Sequence, residues 1–270
     1  MKLWYPFLIR TRFDKSKPIC FVVSSYNLPL DYFKYLRKKY PGCKIVKIYR
    51  DLVSVIGSNH PEYKPENVKS YFDLLMCYDY NEAKELGIEY FDEIESIIDV
   101  PKSEKYPLSD VFIAAKAKDR LGKILRAYDV FTNYGLKCDF YLTGVPEDQR
   151  VYKQGITYAE KYMPYKEMLF KSINSRCMFD INQGGAVGYT SRFLEAVMYN
   201  KRIITDNSFI CGSKYYDPRY IQIIETVDDI DPSFVTKDYE IVDYKYDNDF
   251  SPVHLIGKIE KLLTENNKTI

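Results

Sequence analysis

The chain alternates short apolar runs with amphipathic stretches. Residues 19–25 (Ile-Cys-Phe-Val-Val-Ser-Ser) make the first apolar run and predict a buried strand. Over 30–40, Phe33, Leu36 and Tyr40 fall on one side, with Lys34, Arg37, Lys38 and Lys39 mostly elsewhere, which predicts a helix. Pro41-Gly42 stops it. Strands are expected over 43–48 and 72–78, and a short helix over 80–87 ended by Gly87. Strands alternating with helices imply a parallel sheet.

Residues 100–109 carry two prolines and no periodicity, and are the linker candidate. A second alternation then begins. Strands are expected over 111–115, 138–143, 177–182, 202–205 and 220–224. Helices are expected over 119–133, 164–175, 190–199 and 252–265. The first of these sets Leu121, Ile124, Leu125, Tyr128 and Phe131 at helical spacing, and Gly135 is placed to cap it. The fold class read from this pattern is α/β, with two Rossmann-like parallel-sheet domains, the N-terminal one short.

Composition narrows the classes. Of 270 residues, 46% are hydrophobic and 29% charged, as in a globular protein with a sizeable core. No run of about 18 apolar residues occurs, so no transmembrane helix is expected. The opening MKLWYPFLIRTRF lacks the sustained apolar region and small-residue cleavage site of a signal peptide. Six scattered Cys without a CxxC pair read as reduced, mostly buried thiols of a cytoplasmic protein. With two His and no clustered Cys, a zinc site is not expected. Charge is uneven: residues 1–50 hold 12 Lys/Arg against 2 Asp/Glu, and residues 51–110 hold 5 against 14. The basic opening suits an anionic membrane surface as partner, with the protein peripheral at the inner membrane face, or else a solvated helix neutralised by the acidic stretch. No nucleic-acid-binding module accompanies it, so nucleic acid is not an expected partner.

Two stretches carry candidate chemistry. Residues 180–206 read strand, Gly-rich loop, helix, strand. Such a loop lets backbone approach a phosphate, and the helix tip offers free amides and a positive dipole end. Gly188, Tyr189, Thr190 and Ser191 stand at that tip, Arg192 adds a charge-assisted contact, and Glu195 lies one turn on, where its carboxylate can accept from a ribose diol. The plain alternative makes Thr190 a helix cap and Glu195 a surface acid. Residues 115–120 (Ala-Lys-Ala-Lys-Asp-Arg) end one strand and start a helix, where ligands of open α/β sheets bind. There Lys118 and Arg120 could neutralise a leaving diphosphate, and the plain alternative is a solvated loop. No Asp-x-Asp motif is read from the sequence, so no obligatory divalent metal is expected.

Together the two stretches resemble the C-terminal donor domain of GT-B glycosyltransferases. The likeness is closest to bacterial enzymes that assemble capsular, exopolysaccharide or lipopolysaccharide glycans. It covers about residues 110–225, through Lys-Asp-Arg-Leu at 118–121, Cys-Asp-Phe-Tyr-Leu-Thr-Gly at 138–144, Tyr-Met-Pro-Tyr-Lys-Glu-Met-Leu at 162–169, Gly-Tyr-Thr-Ser-Arg-Phe-Leu-Glu-Ala at 188–196 and Tyr-Asp-Pro-Arg-Tyr-Ile at 216–221. The resemblance implies a nucleotide-sugar donor as co-substrate, UDP-linked, with no cofactor beyond it, and a glycan or lipid-linked saccharide acceptor. It implies that Glu195 holds the nucleotide ribose and that the helix tip binds the phosphates. Lys118, Arg120 and Arg192 then stabilise the leaving group, and the loop at Met163, Pro164 and Tyr165 borders the nucleobase. It also implies an acceptor-side domain over 1–105, a donor domain over 106–250, and a C-terminal helix over 251–270 that crosses back. Two departures stand out. Many retaining members carry a Glu eight positions before Glu195, where this chain has Val187, and the first domain lacks a Gly-rich first loop. Both leave room for a non-catalytic partner subunit of another transferase. A dinucleotide enzyme is disfavoured, since no GxGxxG follows the first strand. If a general base is needed, His60, Asp14 and Asp31 are the candidates in the first half, with His60 in Ser-Asn-His-Pro reading equally as a loop residue.

Overall fold

The computed structural model describes residues 4–9, 13–14, 16–184, 187–237 and 241–266. They form two compact units. The first holds the described residues up to Asp92 with those from Leu255 onward; the second is Glu93–His254.

The first unit carries β1 (Cys20–Val23), β2 (Lys44–Tyr49), β3 (Leu74–Cys77) and β4 (Glu89–Tyr90), a parallel sheet in that order. Its helices are α1 (Tyr5–Leu8), α2 (Asp31–Lys39), α3 (Val53–Asn59), α4 (Pro65–Val68) and α5 (Tyr80–Leu86). As the spacing predicts, α2 buries Phe33 and Leu36 in the core, with Tyr40 just beyond its end. Of its bases, Arg37 pairs with Asp73 at 2.9 Å, and Lys34 and Lys39 lie over Tyr71, Tyr35 and Tyr40. Strand β2 is covered on both faces, the rule for parallel sheets, and so reads as a continuous apolar run. Its exception is Lys47, fully buried, which donates to the carbonyls of Ser24 and Ser25 at 3.0 Å and sits 3.8 Å from the centre of the Tyr26 ring. Burial lowers its ammonium pKa to about 7.

The second unit carries β5 (Ser109–Lys116), β6 (Cys138–Thr143), β7 (Ile156–Ala159), β8 (Ser175–Asp180), β9 (Arg202–Thr205) and β10 (Ile221–Ile223). Their order is β10-β9-β8-β5-β6-β7, all parallel. Helices α6 (Leu121–Asn133), α7 (Tyr165–Ile173), α8 (Ser191–Met198) and α9 (Ser233–Thr236) belong to it, and α10 (Pro252–Asn266) begins in it. Helix α6 ends as expected: Gly135 takes φ +88°, its amide donates to Thr132 and that of Leu136 to Phe131, closing the orphan carbonyls. Phe131, Phe140 and Phe179 pack together beneath it in the core. The expected α/β fold with two parallel sheets is the one the chain adopts.

Two features depart from the pattern. Residues 100–109 are no free tether. Asn174, fully buried, accepts from the amides of Ser103 and Leu108 and donates to the carbonyl of Pro101, which fastens the segment to the second unit. The division between the units therefore falls earlier, after Asp92. Strands β4 and β7 and helix α3 lack a readable signal, being short, and β7 depends on Gly155: at its φ of +83°, a Cβ would meet the Cys138 carbonyl oxygen at 2.2 Å.

Candidate functional site

The order of the second sheet reverses between β5 and β8. The chain runs outward from β5 through β6 to β7, then returns to lay β8 on the other side of β5. Open α/β sheets bind ligands at such a point, beyond the carboxyl ends of the strands, because the departing loops diverge and leave a crevice. Here those ends are Lys116 and Asp180. A cleft of about 350 Å³ opens there, lined from β5 by Lys116 and Ala115, from β6 by Tyr141 and Thr143, from β8 by Asp180, and from α8 by Arg192. Tyr162, Met163, Tyr165 and Met168 form its α7 side, and Arg120 its floor near the start of α6.

Arg120 is anchored by its guanidinium, which donates to the carbonyl oxygens of Ile181 and Lys116 and so ties the β8 exit to the β5 exit. Lys118, two residues earlier in the same short turn, adopts φ +46°, and its ammonium engages Gln183 in the glycine-containing loop; it does not line the cleft. Gly185 and Ala186 of that loop lie outside the described residues.

Thr190 is the N-cap of α8. Its hydroxyl accepts from the Phe193 amide at 3.2 Å and donates to Asp180 at 2.6 Å. Both roles of the hydroxyl are therefore taken, as the plain cap reading expects, and what the tip still offers is amides. The Gly188 carbonyl accepts from buried Asn207 at 2.8 Å. The Tyr189 ring packs among Phe193, Phe209 and Phe250, in an apolar cluster instead of the cleft. Ser191 is half-buried in the first turn, and Pro164 is the N-cap of α7, with Tyr165 following it into the cleft wall.

Glu195 is 0% exposed, so the surface-acid reading is overturned. Arg192 donates one nitrogen to its Oε1 and turns another toward the Met168 sulfur. Oε2 is buried without a hydrogen-bond partner. Burial pushes the Glu195 carboxyl up to about 7; Arg192 opposes this, while the charges of Glu95 and Asp180 add to it and the Tyr165 hydroxyl opposes it. Burial likewise raises Asp180, against the pull of the Thr190 hydroxyl, Arg192 and Arg120. Tyr165 is pushed far up by burial and by the carboxylates of Glu195 and Glu95. The site is thus two buried acids and two arginines around one crevice, with an unsatisfied carboxylate oxygen behind it.

Of the residues singled out from the sequence, Arg120, Met163, Tyr165 and Arg192 line the cleft together. Asp180 carries no assigned role in the sequence, yet it stands at the switch point itself. Its signal was an acid at the end of an apolar strand, just before the glycine-containing loop. Thr143 and Tyr141 were hidden in an ordinary strand pattern.

The candidate bases lie in the first unit and are engaged there: Asp31 accepts from the Tyr5 hydroxyl, Asp14 from Ser16, and His60 stacks on Tyr26. Two Asp-x-Asp triplets stand away from the cleft. Asp229 and Asp231 accept from Thr226 and Ser233, and Asp247 and Asp249 pair with Lys214. Among the described residues no group of three or more His, Cys, Asp or Glu is placed to hold a metal ion. Nor is any described helix long and apolar enough to cross a membrane.

No protein-family model matches the chain, and no curated protein matches it. Among solved structures it is similar to the GtfA/B complex, at 10% identity and a TM-score of 0.40, over 75% of this chain and 46% of that one. It is similar also to the glycotransferase of kitacinnamycin, at 8% identity and a TM-score of 0.39, over 81% of this chain and 66% of that one. Likenesses of this order fix neither the family nor the reaction.

Proposed function

We propose that the chain is a glycosyltransferase of the GT-B type. It would move a sugar from a nucleotide-sugar donor, UDP-linked, to a glycan or lipid-linked saccharide in surface polysaccharide assembly. The observation that carries this reading is the convergence on one crevice, at the β5/β8 switch point, of Arg120 and of Arg192 from the Thr190-capped first turn of α8. That set suits a diphosphate, because fixed cations and amides stabilise charge that develops on a leaving group without first having to reorganise.

In the reaction the bond between the sugar's anomeric carbon and the diphosphate oxygen breaks, and its electron pair leaves with the diphosphate. The acceptor hydroxyl oxygen bonds to that carbon, and its proton passes to the departing diphosphate or through it to water. Arg120 and Arg192 receive the growing negative charge, with Lys118 approaching from the loop and the amides of Thr190 and Ser191 from the helix. No metal is assigned a part. Glu195 is the ribose ligand in this reading. Since Arg192 donates to its Oε1, the partnerless Oε2 is the oxygen left for the diol. Pro164 and Tyr165 border the base. On the acceptor side, Lys34, Lys38 and Lys39 of α2 would face an anionic membrane surface; Arg37 is committed to Asp73.

Calorimetric titration with UDP, GDP, dTDP and CMP tests the donor reading. UDP binding that weakens at least about tenfold in Glu195→Ala is expected, equivalent to about 1.4 kcal/mol. Equal affinity in wild type and variant removes Glu195 from the site. Slow hydrolysis of a UDP-sugar by the pure protein separates an enzyme from a non-catalytic partner subunit, which would bind no nucleotide.

A further inference from the structure

The amino ends of β8 and β9 and the segment that leads into β5 border a second cavity in the same unit, of about 550 Å³, at the opposite edge of the sheet from the cleft. Lys102, Arg176, Lys201 and Arg202 line it, and among the described residues no Asp or Glu does. Arg176 is paired with Asp110 at 2.9 Å. Lys201 is different. It is 6% exposed, and its ammonium donates to the Tyr106 hydroxyl and the Ile173 carbonyl at 3.0 Å and to the Ser175 carbonyl. All three N–H groups are satisfied, and all by neutral oxygens. Among the described residues the charge itself has no counter-charge, and a buried charge is ordinarily paired. Burial lowers the Lys201 pKa, and the neighbouring Lys102 adds to that, while Tyr106 opposes it.

Lys47 shows that missing acid alone does not make a binding site. That lysine is closed in by Tyr26, Tyr63 and Tyr49, whose ring centres lie 3.8, 5.0 and 5.3 Å from its nitrogen. Three π-faces supply negative potential without any ligand. Lys201 has one ring, Tyr106 at 5.0 Å, and it borders an open cavity. The cavity rim is also apolar, with Val100, Val242 and Ile241, the last 92% exposed.

We propose that this cavity binds a phosphate-bearing ligand: the oxyanion supplies the counter-charge Lys201 lacks, Lys102 and Arg176 reach it from the rim, and the apolar edge takes its organic part. A phosphate offers several acceptors to such a cation cluster, and charge-assisted hydrogen bonds are the strong ones. The site is independent of the donor cleft and of the reaction assigned to it.

Pyrophosphate and vesicles of phosphatidylcholine containing phosphatidic acid are the probes, one for a soluble phosphate and one for a lipid headgroup. The full chain, Lys102→Glu, and Lys118→Ala, which removes a cation of the proposed donor site, are compared by calorimetry and by vesicle sedimentation, with circular dichroism to show that each is folded. Lys102 is exposed, so its substitution should leave the fold intact. Pyrophosphate binding that weakens at least about tenfold in Lys102→Glu and persists in Lys118→Ala supports a soluble phosphate ligand. Vesicle binding with the same dependence on Lys102, without pyrophosphate binding, supports a headgroup. Binding indifferent to Lys102→Glu, binding lost only in Lys118→Ala, or no binding of either probe overturns the proposal.

Discussion

At the carboxyl end of the six-stranded sheet, buried acids are held beside arginines; at its amino end, a buried lysine is held by neutral oxygens alone. Glu195 and Asp180 face Arg192 and Arg120, and each acid and each base depends on the other kind. Lys201 has its hydrogen bonds but, among the described residues, no opposite charge. The difference teaches that satisfying donors and balancing charge are separate requirements. An ion pair that loses one member leaves a charge stranded, whereas a hydrogen-bonded ammonium that is removed leaves only dipoles unpaired.

The largest expected effect breaks the carboxyl end. Arg192→Ala leaves Glu195 buried without its cation and should cost about 4 kcal/mol at pH 8, read from urea unfolding. At pH 5 the cost should shrink, because a protonated Glu195 carries no charge to strand.

Next comes the pH profile of Glu195→Gln. The folded protein keeps its Glu195 proton up to about pH 7, and the unfolded chain releases it near 4.5. Wild-type stability therefore falls as pH rises between those values and levels off above, by about 3 kcal/mol in all. The Gln variant lacks that loss, so its stability relative to wild type should climb across the same window. A flat difference between pH 4.5 and 8 would show that the carboxyl titrates as an exposed one does.

A smaller effect separates the two ends by ligand. UDP affinity should drop about tenfold in Glu195→Ala and stay unchanged in Lys102→Glu, measured by calorimetry. A drop in both would mean that the ends are coupled. The smallest effect is at the amino end: Lys201→Met removes the charge and leaves only neutral oxygens behind, so unfolding should shift by about 1 kcal/mol. A cost near that of Arg192→Ala would erase the contrast between the ends.

Much of this architecture was legible in advance. The pattern over 138–143 and 202–205 coincides with β6 and β9, and the capping glycine of α6 was readable from Gly135 alone. The glycine-containing loop before α8 was legible, and it leaves the sheet at Asp180, which lines the crevice. Asp180 and Tyr141 were not legible as site residues, since each ends or continues an apolar run and only the neighbouring strand reveals what it faces. The bond from the Thr190 hydroxyl to Asp180 was not legible, because its partner lies ten residues away across a turn.

The sequence by itself determined the succession of strands and helices, their caps and the parallel α/β class. Those depend on periodicity and on backbone preferences that act over a few residues. Only the tertiary structure decided that β8 returns beside β5, that Glu195 is sealed behind Arg192, and that Lys102 and Lys201 meet at one cavity. Burial and charge pairing join residues tens of positions apart, and their energies do not exist until the sheet has brought those residues together.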